Sequence, residues 1–139
     1  MSADLFITVP RMDEFSYDAC LRFITGYGFA ADFYEGFDLG EDMNGWLPCQ
    51  ITVGDQHVDT GFEVSVSSEE PHSDGYELIL CSDDDFGWML AHAIGGYVVS
   101  VLGGMVDDPQ EDYSWGGDPR DSQSLDEKVT QLLAVAQDQ

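Results

Sequence analysis

Residues 81–102, CSDDDFGWMLAHAIGGYVVSVL, contain the strongest helix signal in the chain. From residue 86 onward, apolar side chains recur at intervals of three and four residues, which is the period of a helix with one buried face. We therefore predict a helix over residues 84–102 and expect its apolar stripe to lie in the core. The stripe includes Phe86, Leu90, Ile94 and Val98.

Three consecutive aspartates, residues 83–85, stand where this helix would begin. The side chain of Ser82 or Asp83 can accept a hydrogen bond from the free amides of the first turn, and further carboxylates there face the positive end of the helix dipole. A magnesium or calcium site is the alternative, but the run lacks the alternating spacing of a calcium-binding loop. We predict that the aspartates cap the helix and hold no metal.

Three segments before the helix alternate polar with apolar residues, as half-buried strands do. They are residues 46–53, 57–67 and 75–81, and the short GDQ link predicts that the first two form a hairpin. One apolar and one polar face per strand indicates an antiparallel sheet that is covered on one side. Leu78 and Leu80 are expected to be core residues.

The N-terminal part of the chain adds a strand and a helix. Residues 5–9, LFITV, alternate as a short strand. Apolar residues at helical spacing then predict a helix near residues 14–25, capped by Asp13 or Ser16. A further short edge strand is possible at MVDDP, residues 105–109.

The C-terminal segment, residues 124–137, begins with a capping box formed by Ser124 and Glu127 and predicts a third helix. Together these elements predict one α+β domain over residues 1–139. An antiparallel sheet of four to five strands would be packed on one face by two main helices, with the C-terminal helix docked on the domain.

The charge balance is the most unusual feature of the composition: 28 acidic residues against four basic ones give a net charge of −24. Such a surface repels nucleic acid and anionic membranes. It attracts basic proteins and accelerates their association. Three uses fit the composition: a basic protein partner, mimicry of nucleic acid, or adaptation to high salt.

The sequence contains no complete catalytic motif. Its three histidines are scattered, and Cys20, Cys49 and Cys81 include no C-x-x-C pair, so we expect the cysteines to be buried apolar residues. No phosphate-binding loop, dinucleotide-binding glycine motif or zinc-protease motif occurs. We predict a protein without enzymatic activity, cofactor or metal.

Localisation is predicted from the absence of targeting signals. The first ten residues, MSADLFITVP, have neither a basic segment nor a long apolar one, so we expect no signal peptide. No uninterrupted apolar run reaches the roughly 18 residues of a membrane span. The expected location is the cytoplasm.

Two irregular stretches, residues 30–45 and 107–123, mix acidic residues with large rings. They could be solvated loops whose rings tuck into the core. They could instead form a protein-binding face, with Tyr and Trp as anchors and carboxylates that pair with Arg and Lys of the partner. The candidate partner-binding residues are Asp32, Tyr34, Glu35, Asp38, Glu41, Asp42, Asp107, Asp108, Glu111, Asp112, Tyr113 and Trp115.

The acidity, the predicted α+β domain and the segment AHAIGGYVVSVLGGMVDDPQ, residues 91–110, resemble a known class of protein. They are similar to the small acidic immunity proteins of bacterial polymorphic-toxin and contact-dependent inhibition systems, best over residues 78–110. The resemblance implies an inhibitor that binds a cognate toxin domain in the cytosol of the producing cell and blocks its active site. A basic nuclease toxin would suit the charge.

Two other functions stay open at this point. A nucleic-acid mimic would space its carboxylates along helices, whereas the acids of this chain concentrate in loops and at strand ends. A salt-adapted housekeeping protein would also be rich in aspartate and poor in lysine. Unfolding in low salt would favour the last function.

Overall fold

The described strands, whose residues alternate between polar and apolar, form one antiparallel sheet, and the described helices pack on one face of it. The computed structural model describes residues 3–10, 16–33, 45–67, 76–82, 84–110, 113–116 and 119–137. Within these ranges the strands are β1 (Ala3–Val9), β2 (Ala30–Phe33), β3 (Gly45–Val53), β4 (Gln56–Ser67), β5 (Tyr76–Ser82), β6 (Met105–Asp108) and β7 (Tyr113–Gly116). Their order across the sheet is β2-β3-β4-β5-β1-β6-β7, and every neighbouring pair is antiparallel.

The predicted hairpin is confirmed. Strand β3 joins β4 through a two-residue turn at Gly54 and Asp55, with Val53 opposite Gln56. Gly54 has φ 59°, a left-handed conformation that glycine adopts without a steric penalty. This turn sets the register that places the apolar residues of both strands on one face.

The sheet has seven strands in the described residues, whereas the sequence predicted four to five. Strands β2 and β7 arise within the two stretches predicted to be irregular, and each has only four residues, too few to show a period. Strand β2 ends at Phe33, and residues 34–44 lie outside the described residues. Strand β6 is interior, since it pairs with both β1 and β7.

Helix α1 (Tyr17–Thr25) begins at the predicted cap. The Ser16 hydroxyl accepts a hydrogen bond from the backbone N–H of Ala19 at 3.3 Å. Cys20 and Ile24, one turn apart, are buried against the sheet side of the helix. Residues 11–15, including the alternative cap Asp13, lie outside the described residues.

The central helix α2 (Asp85–Tyr97) runs into a π-helical turn (Val98–Leu102), which confirms the helix predicted over residues 84–102. Every residue from Met89 to Val99 is buried. Helix α2 contacts β1, β4 and β5 on one side and the other two helices on its remaining sides, so it has no solvent face along this length. Of the predicted core residues, all are buried except Phe86, which is half-buried.

The cap of α2 differs from the sequence prediction. Asp84 is the N-cap, and its Oδ1 accepts a hydrogen bond from the Phe86 N–H at 2.8 Å. Its Oδ2 accepts another from the Thr60 hydroxyl on β4 at 2.7 Å. Ser82 is not the cap, because its hydroxyl is turned to the backbone, donating toward the carbonyl oxygens of Gly61 and Asp84. Asp83 lies outside the described residues.

Glycines let other elements approach α2 closely. A Cβ at Gly95 would come within 2.7 Å of Val106 on β6, and a Cβ at Gly96 would collide with the Tyr27 hydroxyl. That hydroxyl donates a hydrogen bond of 2.7 Å to Asp126 on the third helix. The Gly-Gly pair therefore serves packing, as its position inside a helix indicates.

Helix α3 (Pro119–Gln137) starts earlier than predicted and includes Ser124, so the capping box is wrong. Pro119 suits the first helical position, since the amide it lacks would have no intrahelical partner there. The Ser124 hydroxyl instead accepts a hydrogen bond from the Trp115 ring N–H at 3.3 Å. Leu125 and Val129 are the fully buried residues of α3.

By length and composition, one helical run in the described residues could cross a membrane: Asp85–Leu102, with a mean hydropathy of 1.2. The run has no long uninterrupted apolar segment, but its mean hydropathy is high enough for a membrane span. Since 72% of it is buried inside the protein, its apolar character is accounted for by its place in the core.

Candidate functional site: the acidic open face of the sheet

The face of the sheet opposite the helices, here called the open face, is strongly acidic. In β1 the buried Leu5 and Ile7 alternate with the exposed Asp4 and Thr8, and the same alternation continues in the other strands. None of the described strands contains a lysine or an arginine. The acidic residues of the open face are Asp4, Asp32, Asp59, Glu63, Glu77 and Asp107.

The described basic residues lie on the helices. Arg22 is in the last turn of α1, and Arg120 and Lys128 are in α3. Arg11 lies outside the described residues. The described cations and the open-face carboxylates are thus on opposite sides of the sheet, which gives the open face a negative potential.

Two large apolar side chains are exposed on the open face. Trp46 on β3 is 53% exposed and Met105 on β6 is 50% exposed. The Trp46 ring lies over Gly61 of the neighbouring strand, where an added Cβ would come within 2.6 Å of the ring. Because Gly61 has no side chain, the Trp46 indole can lie close against the sheet there. Tryptophan in such a position is a common anchor in protein interfaces.

A groove of about 360 Å³ opens on this face above β1 and β6. Phe6 is opposite Asp107, and Thr8 lies between Glu77 on β5 and Met105 on β6. The Asp107 carboxylate accepts a hydrogen bond from the Ser114 hydroxyl at 2.9 Å, which orients it. The groove is lined by Phe6, Thr8, Glu77, Met105, Asp107 and Ser114.

The described strands within the two acidic, aromatic stretches lie far apart in the sheet. Asp32 on β2 and Asp107 on β6 are both exposed on the open face, but β3, β4, β5 and β1 lie between their strands. Five interstrand steps of about 4.8 Å separate these strands by roughly 24 Å. Strand β2 and the β6–β7 pair therefore lie at opposite edges of the sheet.

Two of the predicted partner-binding residues are buried, which is a correction. Asp108 is 0% exposed and Trp115 is 3% exposed. They alternate with Asp107 and Ser114, so their side chains point to the helix side of the sheet. Neither is available on the surface for a partner to contact.

The side chains of the remaining predicted site residues lie outside what the structure describes. Tyr113 belongs to β7, and only its backbone is described. The others lie outside the described residues: Tyr34, Glu35, Asp38, Glu41, Asp42, Glu111 and Asp112.

Asp108 takes part in a buried polar cluster between α2 and the β6–β7 hairpin. The Nδ1 of His92 lies 2.9 Å from the Trp88 carbonyl oxygen, and because a carbonyl only accepts, that nitrogen carries a proton. The Nε2 faces Asp108 Oδ2 at 3.7 Å, with both side chains buried. The His92 ring also packs edge-on against Trp88 and Trp115, with centroid distances of 4.6 and 5.9 Å. The cluster is closed to substrate and acts as a structural link.

The cysteines have no sign of catalytic activation. Burial raises the pKa of the Cys20 and Cys49 thiols to about 12, so both stay protonated and weakly nucleophilic at neutral pH. Cys81 is only half-buried, because it lies on the open face and not in the core as predicted. In the described ranges, no group of three or more His, Cys, Asp and Glu could hold a metal ion.

The open-face residues that sequence reasoning missed were visible in part. The alternation in residues 57–67 already assigned Asp59 and Glu63 to a polar face. Phe6, Glu77 and Met105 gave no local signal, since only the pairing of β1 with β5 and β6 brings them together. No protein-family model, curated protein or solved structure matches this chain.

Proposed function

We propose that this protein is an inhibitory binding protein that uses the open face of its sheet to hold a basic protein partner. One observation carries the proposal: a solvent-exposed sheet face with carboxylates on strand after strand and, in the described residues, no lysine or arginine. Self-repulsion of like charges lowers stability, so this arrangement is expected to serve a partner of opposite charge.

The composition of the open face supports a protein partner over a simple counterion. Its carboxylates surround exposed apolar side chains, Trp46 and Met105. Protein interfaces combine such anchors, which exclude water, with charged residues that steer the encounter. Charge alone would attract small cations just as well, whereas the apolar anchors bury area only against another macromolecule.

We further propose that the partner is a bacterial toxin domain and that the protein acts as its immunity protein in the cytoplasm. The support for this finer statement is the sequence resemblance over residues 78–110, together with the charge of −24. A basic nuclease domain would complement the open face. The inhibitor would then work by covering the partner, and no chemistry of its own is required.

The direct test of the immunity role is a pull-down with the product of the adjacent gene, followed by a toxicity assay in cells. We expect a stable complex and protection of the cells by co-expression. A complex without protection would reject the immunity role and leave the binding function. Inhibition of several unrelated DNA-binding enzymes would instead favour the nucleic-acid mimic.

The role of the open face is tested by association kinetics with a matched pair of variants. Asp32→Asn with Glu63→Gln removes two charges from the open face, and Asp18→Asn with Glu127→Gln removes two exposed charges from the helices. At 0.15 M salt the Debye length is about 8 Å, so charges near the interface dominate steering. We expect the open-face pair to slow association about threefold and the helix pair to have little effect. Equal effects of the two variant pairs on the association rate would show that the interface does not lie on the open face.

The apolar contribution is tested separately through dissociation. Trp46→Ala removes an exposed ring, and we expect it to shorten the lifetime of the complex about tenfold while leaving the association rate nearly unchanged. The buried Trp115, which the sequence suggested as an anchor, is not suited to this test because its loss would disturb the fold. An unchanged dissociation rate for Trp46→Ala would place the anchor elsewhere.

A further inference from the structure

We infer that the groove above β1 and β6 is a receptor for a single arginine side chain, presented by the basic partner. This inference rests on the proposed binding function and makes its ligand chemistry specific. It starts from the shape of the open face, where a concave site of about 360 Å³ combines an aromatic floor, an apolar wall and two carboxylates.

The apolar part of the groove is suited to the methylene stem and flat head of an arginine. Phe6 is half-buried in the floor, and Met105 forms a wall that is 50% exposed. Met105 lies across Gly116 on β7, where an added Cβ would come within 2.6 Å of the Met105 Cγ. Because Gly116 has no side chain, the Met105 side chain can lie close to β7 and leave the groove open.

The two acids rise from opposite sides of β1. Glu77 stands on β5 opposite Thr8, and Asp107 stands on β6 opposite Phe6. The bond from Ser114 occupies one oxygen of Asp107, and an ionised carboxylate has capacity for several donors, so its second oxygen can accept from a guest. A cation seated over Phe6 and Thr8 would therefore have Asp107 beside Phe6 on one side and Glu77 beside Thr8 on the other.

Arginine fits this combination better than lysine does. Its guanidinium is planar, stacks on aromatic faces and is more weakly hydrated than an ammonium, so it loses less on entering a partly apolar groove. It also presents five N–H donors in a fixed fork, which allows it to bond two carboxylates at once. A lysine ammonium would have to exchange strong hydration for the same contacts.

The test is a titration of the ¹⁵N-labelled protein with the capped tripeptide acetyl-Gly-Arg-Gly-amide, followed by NMR. The matched ligands are the same peptide with citrulline, which keeps the shape without the charge, and with lysine, which keeps the charge without the plane. We expect saturable shifts centred on the amides of residues 6–8, 105–107 and 114. The citrulline peptide should bind about tenfold more weakly, and the lysine peptide about threefold.

The residue assignment is tested with two double variants that remove the same charge. Glu77→Gln with Asp107→Asn should weaken the arginine peptide about tenfold. Asp4→Asn with Glu63→Gln, on the same face but outside the groove, should weaken it less than about twofold. All four positions are solvent-accessible, and thermal melting of each variant confirms that the fold is intact.

Three results would overturn the inference. They are shifts spread over the acidic surface without saturation, equal binding of the arginine and lysine peptides, and equal weakening by the two double variants. The peptide experiment does not depend on the natural partner. If the arginine peptide does not bind but the partner complex still forms, the arginine groove is rejected and the proposed function stands. If the peptide binds but no basic partner is captured, the proposed function is rejected and the groove stands.

Discussion

Asp107 and Asp108 are neighbours in the chain but lie on opposite faces of the sheet. Asp107 is exposed beside the groove and bonds Ser114, whereas Asp108 is 0% exposed and faces His92. The same side chain therefore meets water on one face and the core on the other. The acidity of this protein thus has two separate uses, one in its surface potential and one in its internal packing.

The closed face should dominate stability, and the largest effect is expected from its central helix. Leu90→Ala removes a fully buried side chain of α2, and we expect a loss of about 3 kcal/mol in the free energy of unfolding. Val101→Ala, at a position 55% exposed in the same helical run, should cost less than about 0.5 kcal/mol. Urea unfolding measures both. Similar losses would contradict the placement of α2.

The comparison of the two aspartates can be made directly. Asp108→Ala removes a fully buried side chain that accepts a hydrogen bond from the Gln110 N–H and faces His92, and we expect a loss of about 2 kcal/mol in the free energy of unfolding. Asp107→Ala changes the same residue type one position away at an exposed site and should cost about 0.5 kcal/mol or less. Thermal and urea melts of the pair measure the difference, and equal losses would show that Asp108 is not held in a buried pair.

The cap of α2 should have an intermediate effect. Asp84→Ala removes the acceptor of the Phe86 N–H and of the Thr60 hydroxyl, so we expect a loss of about 1–2 kcal/mol in unfolding free energy. Asp83→Ala is the matched control, because the sequence alone pointed to Asp83 as a cap. If Asp83→Ala proves more damaging than Asp84→Ala, the structural assignment of the cap is wrong.

The smallest effect on stability should come from the open face. Asp4→Asn with Glu63→Gln relieves like-charge repulsion, so we expect a gain of a few tenths, about 0.3 kcal/mol, at low salt. The gain should vanish in 1 M salt, where the Debye length is about 3 Å. Unfolding measured at both salt concentrations tests this, and a marked loss of stability would show that these acids hold the fold together.

Much of the fold was predictable because its longer helices and strands show a regular local spacing of apolar residues. The helix over residues 84–102 and the hairpin of β3 and β4 show clear apolar spacing, and both are confirmed. The one-sided sheet follows from alternation in the same way. Strands β2 and β7 were not predictable, because four residues carry too little pattern and their formation depends on a longer neighbouring strand.

The candidate site was predictable only in its chemistry. Composition indicates an acidic protein without a catalytic motif, but residues 30–45 and 107–123 attract attention as loops because acids and rings are dense there. The structure instead brings together Phe6, Glu77 and Met105, which are distant in the chain. Their proximity results from strand order, which no short segment specifies.

Local patterns in the chain predict the longer helices and strands, the apolar side of each of those strands, and the negative charge of the surface. Only contacts between distant elements bury α2 on all sides, make Asp84 its cap, and put β2 and β7 at opposite edges of the sheet. These contacts also decide which face each acid occupies in space. The two kinds of information differ in range, because periodicity acts between near neighbours in the chain, whereas strand order and helix docking depend on how distant apolar faces cover one another.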